Sequence, residues 1–123
     1  MTRDREAFLY DICDSARFLL EFTKQENFAR YQKDRAFRGA VERELTIIGE
    51  AMFQLAKLDP GLVAKVSESQ RIIGFRHILV HGYFALKHEV VWGVLKNKLS
   101  TLLAEVEALL KAFGFPLNKE EEA

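Results

Sequence analysis

Several side chains that could perform acid–base chemistry lie close together in the segment from Arg76 to Tyr83, RHILVHGY. It holds an arginine, two of the three histidines and a tyrosine, and the remaining histidine, His88, follows shortly after. An arginine is a permanent cation shaped for phosphate oxygens, and a histidine exchanges its proton near neutral pH. A single histidine on an apolar helix is more often a hydrogen-bonded structural residue. Four such groups at one helix end favour a crevice instead, because each is costly to bury unpaired.

Arg76, His81 and Tyr83 form a set that suits cleavage of a phosphodiester in RNA without a metal ion. His81 can remove or return a proton at the 2′-hydroxyl or at the leaving oxygen, and Arg76 can neutralise charge that builds on the phosphoryl oxygens. On a helix these two residues lie about 140° apart with a rise of ~7.5 Å. Tyr83 follows Gly82, where the chain can turn the phenol back towards His81. Because one arginine and one histidine are too few for an acid–base pair, we expect two copies to face each other in a homodimer.

A metal site is the alternative interpretation of the same segment. His77 and His81 are one helical turn apart, a spacing that can chelate a divalent ion. The residues between them are aliphatic, so the H-E-x-x-H pattern is absent, and Cys13 is the only cysteine. A tetrahedral site needs more ligands than these two histidines. The sequence therefore predicts no metal and no cofactor.

A second group of basic residues precedes this segment in the chain. A solvated helix face is the simpler interpretation of such a group, but a phosphate backbone is the alternative ligand. Phe28 and Tyr31 in the same stretch either stack on bases or belong to the core. The candidates for contact with the RNA backbone are Arg35, Arg38 and Arg43, with Arg30 and Lys33 beside them.

The composition limits the classes of function. The chain has 123 residues, 49% hydrophobic content and a formal net charge of zero, so we expect one soluble domain without a global field that attracts nucleic acid or membrane. A phosphate ligand then requires a local patch. No apolar run approaches the ~18 residues of a membrane span. The N-terminal residues MTRDREAF are charged, unlike a signal peptide, and the expected location is the cytoplasm.

Apolar residues recur with helical spacing along the chain, which predicts an all-α fold. The predicted architecture is an up-and-down bundle of four main helices with a short extra helical turn. We expect a single domain over residues 1–115 and a short acidic tail over residues 116–123. The predicted helices run from Arg5 to Phe22, from a start between Phe28 and Asp34 to about Leu58, from Ser67 to His81, where Gly82 ends the helix, and from His88 to Phe113, with the turn at Leu62 to Val66. The residues predicted to face the core are Phe37, Val41, Leu45, Ile48, Met52 and Leu55 in the second helix, Ile72, Phe75 and Leu79 in the third, and Val91, Leu95, Leu102, Val106, Leu109 and Phe113 in the last.

Several segments together resemble the HepT-like branch of the HEPN family. The family motif R-x4-H-x-Y is matched by Arg76, His81 and Tyr83 within RHILVHGYF, and VWGVL follows. Upstream, VERELTIIGEA resembles the second-helix signature of that branch, and FLYDICDSARFLLEFT resembles its first helix. The likeness extends from about Phe8 to Phe113.

The resemblance implies an all-helical homodimer in which Arg76 and His81 of both copies line a shared groove. It further implies metal-independent cleavage of RNA by the toxin of a toxin–antitoxin pair. The implied partner is a minimal nucleotidyltransferase antitoxin that adds AMP to the motif tyrosine, Tyr83. Such an adduct would place an anion in front of Arg76 and His81, where it would compete with RNA.

The chain departs from the family pattern at two positions. His77 stands where the family often has asparagine, which makes His77 a candidate helper in catalysis. Lys87 stands where a capping Asp or Asn is common, so the last helix lacks its usual cap. Two alternatives to an enzyme remain: a catalytically silent module that binds RNA, nucleotide or the nucleotidyltransferase, and a plain helical dimerisation domain.

Overall fold

The computed structural model of the chain describes residues 4–115, with Tyr83 described by its backbone alone. Within this range there are helices and turns but no β-strand, which confirms the predicted all-α fold. The predicted acidic tail, residues 116–123, lies outside the described residues. The helices are α1 (Arg5–Phe22), α2 (Phe28–Lys33), α3 (Arg35–Leu58), α4 (Pro60–Val63), α5 (Ser69–His81), α6 (His88–Asn97) and α7 (Leu99–Ala112), with a 3-10 turn at Tyr83–Ala85 between α5 and α6.

Short acidic or amide side chains determine where the first helices begin. Asp4, Asn27, Asp34 and Asp59 each accept a hydrogen bond from a backbone N–H in the first turn that follows, which satisfies a donor that the helix leaves free. Asp34 has an extended backbone, and it separates α2 from α3. The predicted second helix is therefore two helices. By contrast, Lys87 offers no side-chain cap to α6, as expected from the sequence.

The predicted last helix is also two helices, which meet at Lys98. The sequence around this residue contains Asn97, Ser100 and Thr101, and these types compete with the helical backbone for hydrogen bonds. The interruption alters which side chains face inwards. Leu110 is fully buried in α7, whereas Leu109, predicted to face the core, is partly buried.

The core lies between α1, α3 and α7, with α6 closing one end. In α3 all six residues of the predicted apolar stripe are buried, which confirms the helical register. Cys13 is also buried in this core, and burial raises the pKa of its thiol to about 11, so the thiol stays protonated. The buried α3 stripe consists of Phe37, Val41, Leu45, Ile48, Met52 and Leu55.

Helix α5, which carries the motif, packs mainly against α3. Ile72, Phe75 and Leu79 pack against the core, as predicted, and are partly buried. Ile78 and Val80 point away and are exposed. Helix α5 therefore has apolar side chains on two sides, and one of these sides is exposed to solvent in the single chain.

Candidate active site

Arg76 is fixed to α3 by an ion pair with Glu50. Its Nε donates to Glu50 Oε2 at 2.7 Å, and its side chain is only 19% exposed. The other carboxylate oxygen, Glu50 Oε1, accepts from Gln54 Nε2 at 2.9 Å. Among the described residues, no hydrogen-bond partner is found for either Nη of Arg76. The guanidinium is therefore oriented through one nitrogen, and its two terminal nitrogens remain for an anion.

The aromatic ring of Phe53 packs against the guanidinium of Arg76. The Cζ of Arg76 lies 4.5 Å from the centroid of the Phe53 ring. The Nζ of Lys57 lies 4.3 Å from the same centroid. A cation over an aromatic face is attracted by the ring quadrupole, so Phe53 restricts both charges without neutralising them.

Gly49 allows the backbones of α3 and α5 to approach at this point. A Cβ added to Gly49 would lie 2.3 Å from the Cβ of Arg76, far inside the distance that real side chains tolerate. Glycine thus provides the close approach by lacking a side chain, with no unusual backbone conformation. As a result, the base of Arg76 lies directly beside the residue that precedes its carboxylate partner.

The electrostatic environment keeps Glu50 ionised. The hydrogen bond from Gln54 and then the hydrogen bond and charge of Arg76 lower the pKa of Glu50, and the charge of Lys57 acts in the same direction. Partial burial opposes them by raising the pKa. Since the attractive contributions dominate, Glu50 stays an anion and can hold the guanidinium at neutral pH.

The two motif histidines form an exposed pair at the C-terminal end of α5. The ring centroids of His77 and His81 are 5.1 Å apart with an angle of 53° between the planes, as their i, i+4 spacing predicts. Both residues are exposed. No hydrogen bond or ring contact joins either imidazole to Arg76 in the described part of the chain. Arg76 faces α3, and the imidazoles face solvent.

Tyr83 begins the 3-10 turn that follows α5. Gly82 ends α5, as predicted, and its N–H bonds to the carbonyl of Ile78. The position of the Tyr83 side chain, and with it the predicted turn of the phenol towards His81, lies outside what the structure describes. The neighbouring Phe84 is 82% exposed, so the backbone of this turn is at the surface.

The predicted RNA-backbone residues differ in their surroundings. Arg35 and Arg43 are exposed on α3. Arg38 donates through Nη1 to the carbonyls of Tyr31 and Gln32, at 3.0 and 2.8 Å, and thereby closes the end of α2. The sequence left this structural role unrecognised, because an arginine that caps a helix looks like any surface arginine.

Tyr31 belongs to the core, which resolves one alternative left open by the sequence. Its ring is fully buried, and its hydroxyl donates to Glu42 Oε2 at 2.6 Å. Burial and this hydrogen bond raise the pKa of Tyr31 well above the usual phenol value. A ring in this position is not available to stack on a base.

A cavity of about 380 Å³ lies between α5 and the α6–α7 pair. Ile72 and Phe75 of α5 line it together with Leu102 of α7. None of Arg76, His77 and His81 contributes to its wall. A concave apolar space is the usual site for a small ligand, but the arginine and histidines of the motif lie outside this cavity.

Among residues 4–115, no group of three or more His, Cys, Asp or Glu side chains is arranged to hold a metal ion. None of the described helices combines the length and apolar content that crossing a bilayer requires.

Glu50, Phe53 and Gly49 are components of the site that the sequence did not assign. The sequence contained only part of this information. Gly49 lies next to the apolar stripe in the middle of a long helix, where a glycine usually has a packing reason. The sequence does not tell which residue approaches. The approaching residue is Arg76, which is 26 residues after Glu50.

Comparison with known proteins gives one family over most of the chain. The model of the family described as "Ribonuclease HepT-like" matches residues 12–109. A protein of Methanocaldococcus jannaschii named "Putative RNase MJ1380" is 35% identical over 105 residues, which cover 85% of this chain and 95% of that protein. "Probable ribonuclease HepT" of Thermococcus cleftensis is 29% identical over 111 residues, which cover 90% and 100%. No solved structure gives a significant match.

Proposed function

Because this chain belongs to the ribonuclease HepT-like family, we propose that it is an endoribonuclease that needs no metal ion. The observation that carries the proposal is the fixed guanidinium of Arg76, held through Nε by Glu50 with both terminal nitrogens unpaired among the described residues. An arginine held in this way is preorganised for a phosphoryl group. The names of the relatives, which describe ribonucleases, support the same class of reaction.

The proposed reaction is attack by the 2′-oxygen of the RNA on the adjacent phosphorus. A histidine, His81, takes the proton of the 2′-hydroxyl, the bond from phosphorus to the 5′-oxygen breaks, and that oxygen receives a proton from a second imidazole. Arg76 stabilises the charge on the phosphoryl oxygens in the transition state. The products are a 2′,3′-cyclic phosphate and a 5′-hydroxyl. His77, one turn before His81, is the nearest second imidazole in the same chain.

A homodimer completes the site in this proposal. The imidazoles lie on an exposed face of one chain, and neither lines the cavity beside α5. The same side of the molecule exposes Ile78, Val80 and Phe84, which are apolar side chains of the kind found in the centre of interfaces. A second copy would cover these residues and supply another Arg76–His81 set. Light scattering over a dilution series tests this, and an active monomer at micromolar concentration would contradict it.

Exposed arginines of α3 extend the site along the RNA backbone. Arg43 precedes Glu50 by seven residues, which places both on nearly the same helix face with a rise of about 10 Å. Arg35 lies at the N-terminal end of the same helix. Arg38 uses one nitrogen to cap α2, and we propose that its remaining nitrogens contribute to the same basic patch.

We further propose that the protein is the toxin of a toxin–antitoxin pair and that a minimal nucleotidyltransferase silences it by adding AMP to Tyr83. The surface location of the turn at Tyr83–Ala85 supports access by a modifying enzyme, and Arg76 of the same motif would provide a cation for the added phosphate. Intact-mass spectrometry after co-expression tests this point. Full neutralisation without an AMP adduct on Tyr83 would show that the partner inhibits by binding alone.

Cleavage of RNA by the purified protein in excess EDTA tests the proposed activity. We expect wild-type protein to cleave single-stranded RNA and both His81→Ala and Arg76→Ala to lose the activity. Arg71→Ala is the matched control, because Arg71 is an arginine of the same helix with an 83% exposed side chain that pairs with Glu68. Loss of wild-type activity in EDTA with recovery in zinc would favour the alternative in which His77 and His81 bind a metal.

A catalytically silent binding module is the second candidate. The zero net charge of the chain favours it, since an enzyme that binds RNA gains affinity from positive charge. Under this alternative, the purified wild-type protein binds RNA, a nucleotide or the nucleotidyltransferase, cleaves no RNA and leaves cell growth unchanged.

A further inference from the structure

We propose that Lys57, seated on the ring of Phe53, forms a second phosphate subsite next to Arg76. Its ligand is a phosphate of the RNA backbone that neighbours the one being cleaved. The inference rests on the proposed function, because it requires RNA to lie across Arg76.

The first argument is the distance between the two cations. Arg76 Cζ and Lys57 Nζ both lie within 4.5 Å of the same ring centroid, so the two charged groups are separated by less than about 9 Å. One strand of a stacked nucleic acid rises ~3.4 Å per nucleotide. Phosphates that neighbour the cleaved one therefore fall within reach of Lys57 when the cleaved phosphate is at Arg76.

The second argument is that the charge of Lys57 is not neutralised by a carboxylate. In the described range, five basic residues besides Arg76 form ion pairs with acidic residues, whereas no acidic oxygen lies within ion-pair distance of Lys57. The contact with Phe53 holds the ammonium without consuming its charge, and its three N–H donors remain for an anion. The paired residues are Arg5 with Asp59, Arg17 with Glu107, Arg30 with Glu26 and Asp34, and Arg71 and Lys98 with Glu68.

The third argument is the register of these residues on α3. Arg43, Glu50 and Lys57 recur every seven residues, and seven residues of an α-helix bring the chain back to within ~20° of the same face. Each step rises about 10 Å. Since Glu50 carries Arg76, the three cations Arg43, Arg76 and Lys57 follow one line along α3. A strand of RNA lying parallel to this helix would meet all three, with the reacting phosphate in the middle.

A purely structural role for Lys57 makes a different prediction. Lys57 lies in the last turn of α3, where a positive charge interacts favourably with the helix dipole. Loss of that interaction would slightly lower the free energy of unfolding. Any effect of the substitution on RNA binding would then be the same for short and long RNA. A phosphate subsite instead affects ligands that have a second phosphate.

The test measures RNA binding in the His81→Ala background, which binds without cleaving. A fluorescent single-stranded octanucleotide is titrated over a range of KCl concentrations, with and without Lys57→Gln. We expect Lys57→Gln to weaken binding about tenfold at low salt and to reduce the slope of log K against log salt by about 0.7, the value of one phosphate contact on a single strand. Lys111→Gln, which removes an exposed lysine from the last turn of α7, is the control and should change neither quantity.

A dinucleotide with one phosphodiester provides the second measurement, by competition. Its phosphate occupies Arg76, so its affinity should be the same with and without Lys57→Gln. Equal weakening of the octanucleotide and the dinucleotide, or no weakening of either, overturns the subsite while the proposed ribonuclease activity stands. If the His81→Ala protein binds no RNA and the wild-type protein cleaves none, the proposed function is wrong and the subsite is refuted with it.

Discussion

Two arginine-containing regions of this molecule use the same side chain in opposite ways. At the α2–α3 junction, Arg30 pairs with both Glu26 and Asp34, and Arg38 caps two carbonyls. At the α3–α5 contact, Arg76 uses Nε to bind Glu50 and leaves its terminal nitrogens without a partner in the described chain. The junction is richer in basic residues, yet its arginines largely serve the fold.

The difference teaches that the number of basic residues in a segment is a poor guide to anion binding. What matters is which donors remain after the fold has satisfied its own carbonyls and carboxylates. Glu50 holds the Nε of Arg76 by a hydrogen bond, and the ring of Phe53 packs against the Cζ of the same guanidinium. Supports of this kind are what a preorganised charge stabiliser needs.

The largest expected effect distinguishes the two regions by a substitution that keeps the charge. Arg76→Lys should lower the rate of RNA cleavage by at least ~10²-fold, because lysine cannot donate through a planar fork to a phosphate while also bonding Glu50. Arg38→Lys retains a cation that can still donate to a carbonyl, and we expect little change in rate. Initial rates of the two variants on one RNA provide the comparison. Equal losses would mean that the two arginines have equivalent roles.

A smaller effect is expected from adding a side chain at the close contact between α3 and α5. Gly49→Ala should lower the free energy of unfolding by about 1–3 kcal/mol, the usual range for overpacking, and should displace Arg76 with a loss of cleavage. Gly39→Ala is the matched control in the same helix, since an added Cβ there meets nothing within 4 Å. It should stabilise the protein by roughly 0.5–1 kcal/mol. Urea unfolding measures both, and a neutral Gly49→Ala would show that the two helices can separate freely.

The smallest expected effect concerns the pH dependence of stability. The pKa of Glu50 is lower in the folded chain than the ordinary value of about 4.3, so its contacts stabilise the fold fully above that pH. The contribution is lost as the pH falls through the lowered pKa. With the Glu50 side chain 46% exposed, we expect less than about 1 kcal/mol.

Unfolding of wild-type protein and Glu50→Gln in urea, at neutral pH and near pH 3, measures this contribution. The difference in unfolding free energy should be present at neutral pH and shrink in acid. Glu21→Gln, which removes an exposed carboxylate from α1, controls for the loss of one charge. A difference that grows in acid would contradict the assigned direction.

Much of the fold and part of the site were predictable from the sequence. The stripe of α3 follows from apolar spacing alone, and the family match confirms the resemblance drawn from the motif and the IGEA signature. The break at Lys98 was missed because the apolar pattern continues across it. The pairing of Arg76 with Glu50 was not predictable, since it depends on which face of α5 meets α3. The spacing of apolar residues within α5 does not determine which of its faces contacts α3.

The chemical identity of the RNA ends after cleavage tests the central claim most directly. The claim is that an Arg76–His81 set assists attack by the 2′-oxygen without a metal ion. Mass spectrometry of fragments made in EDTA should therefore find a 2′,3′-cyclic phosphate on one fragment and a 5′-hydroxyl on the other. A 2′-deoxy substitution at the cleaved nucleotide should abolish the cut. Fragments with a 3′-hydroxyl and a 5′-phosphate, or continued cleavage of the 2′-deoxy substrate, would contradict the claim.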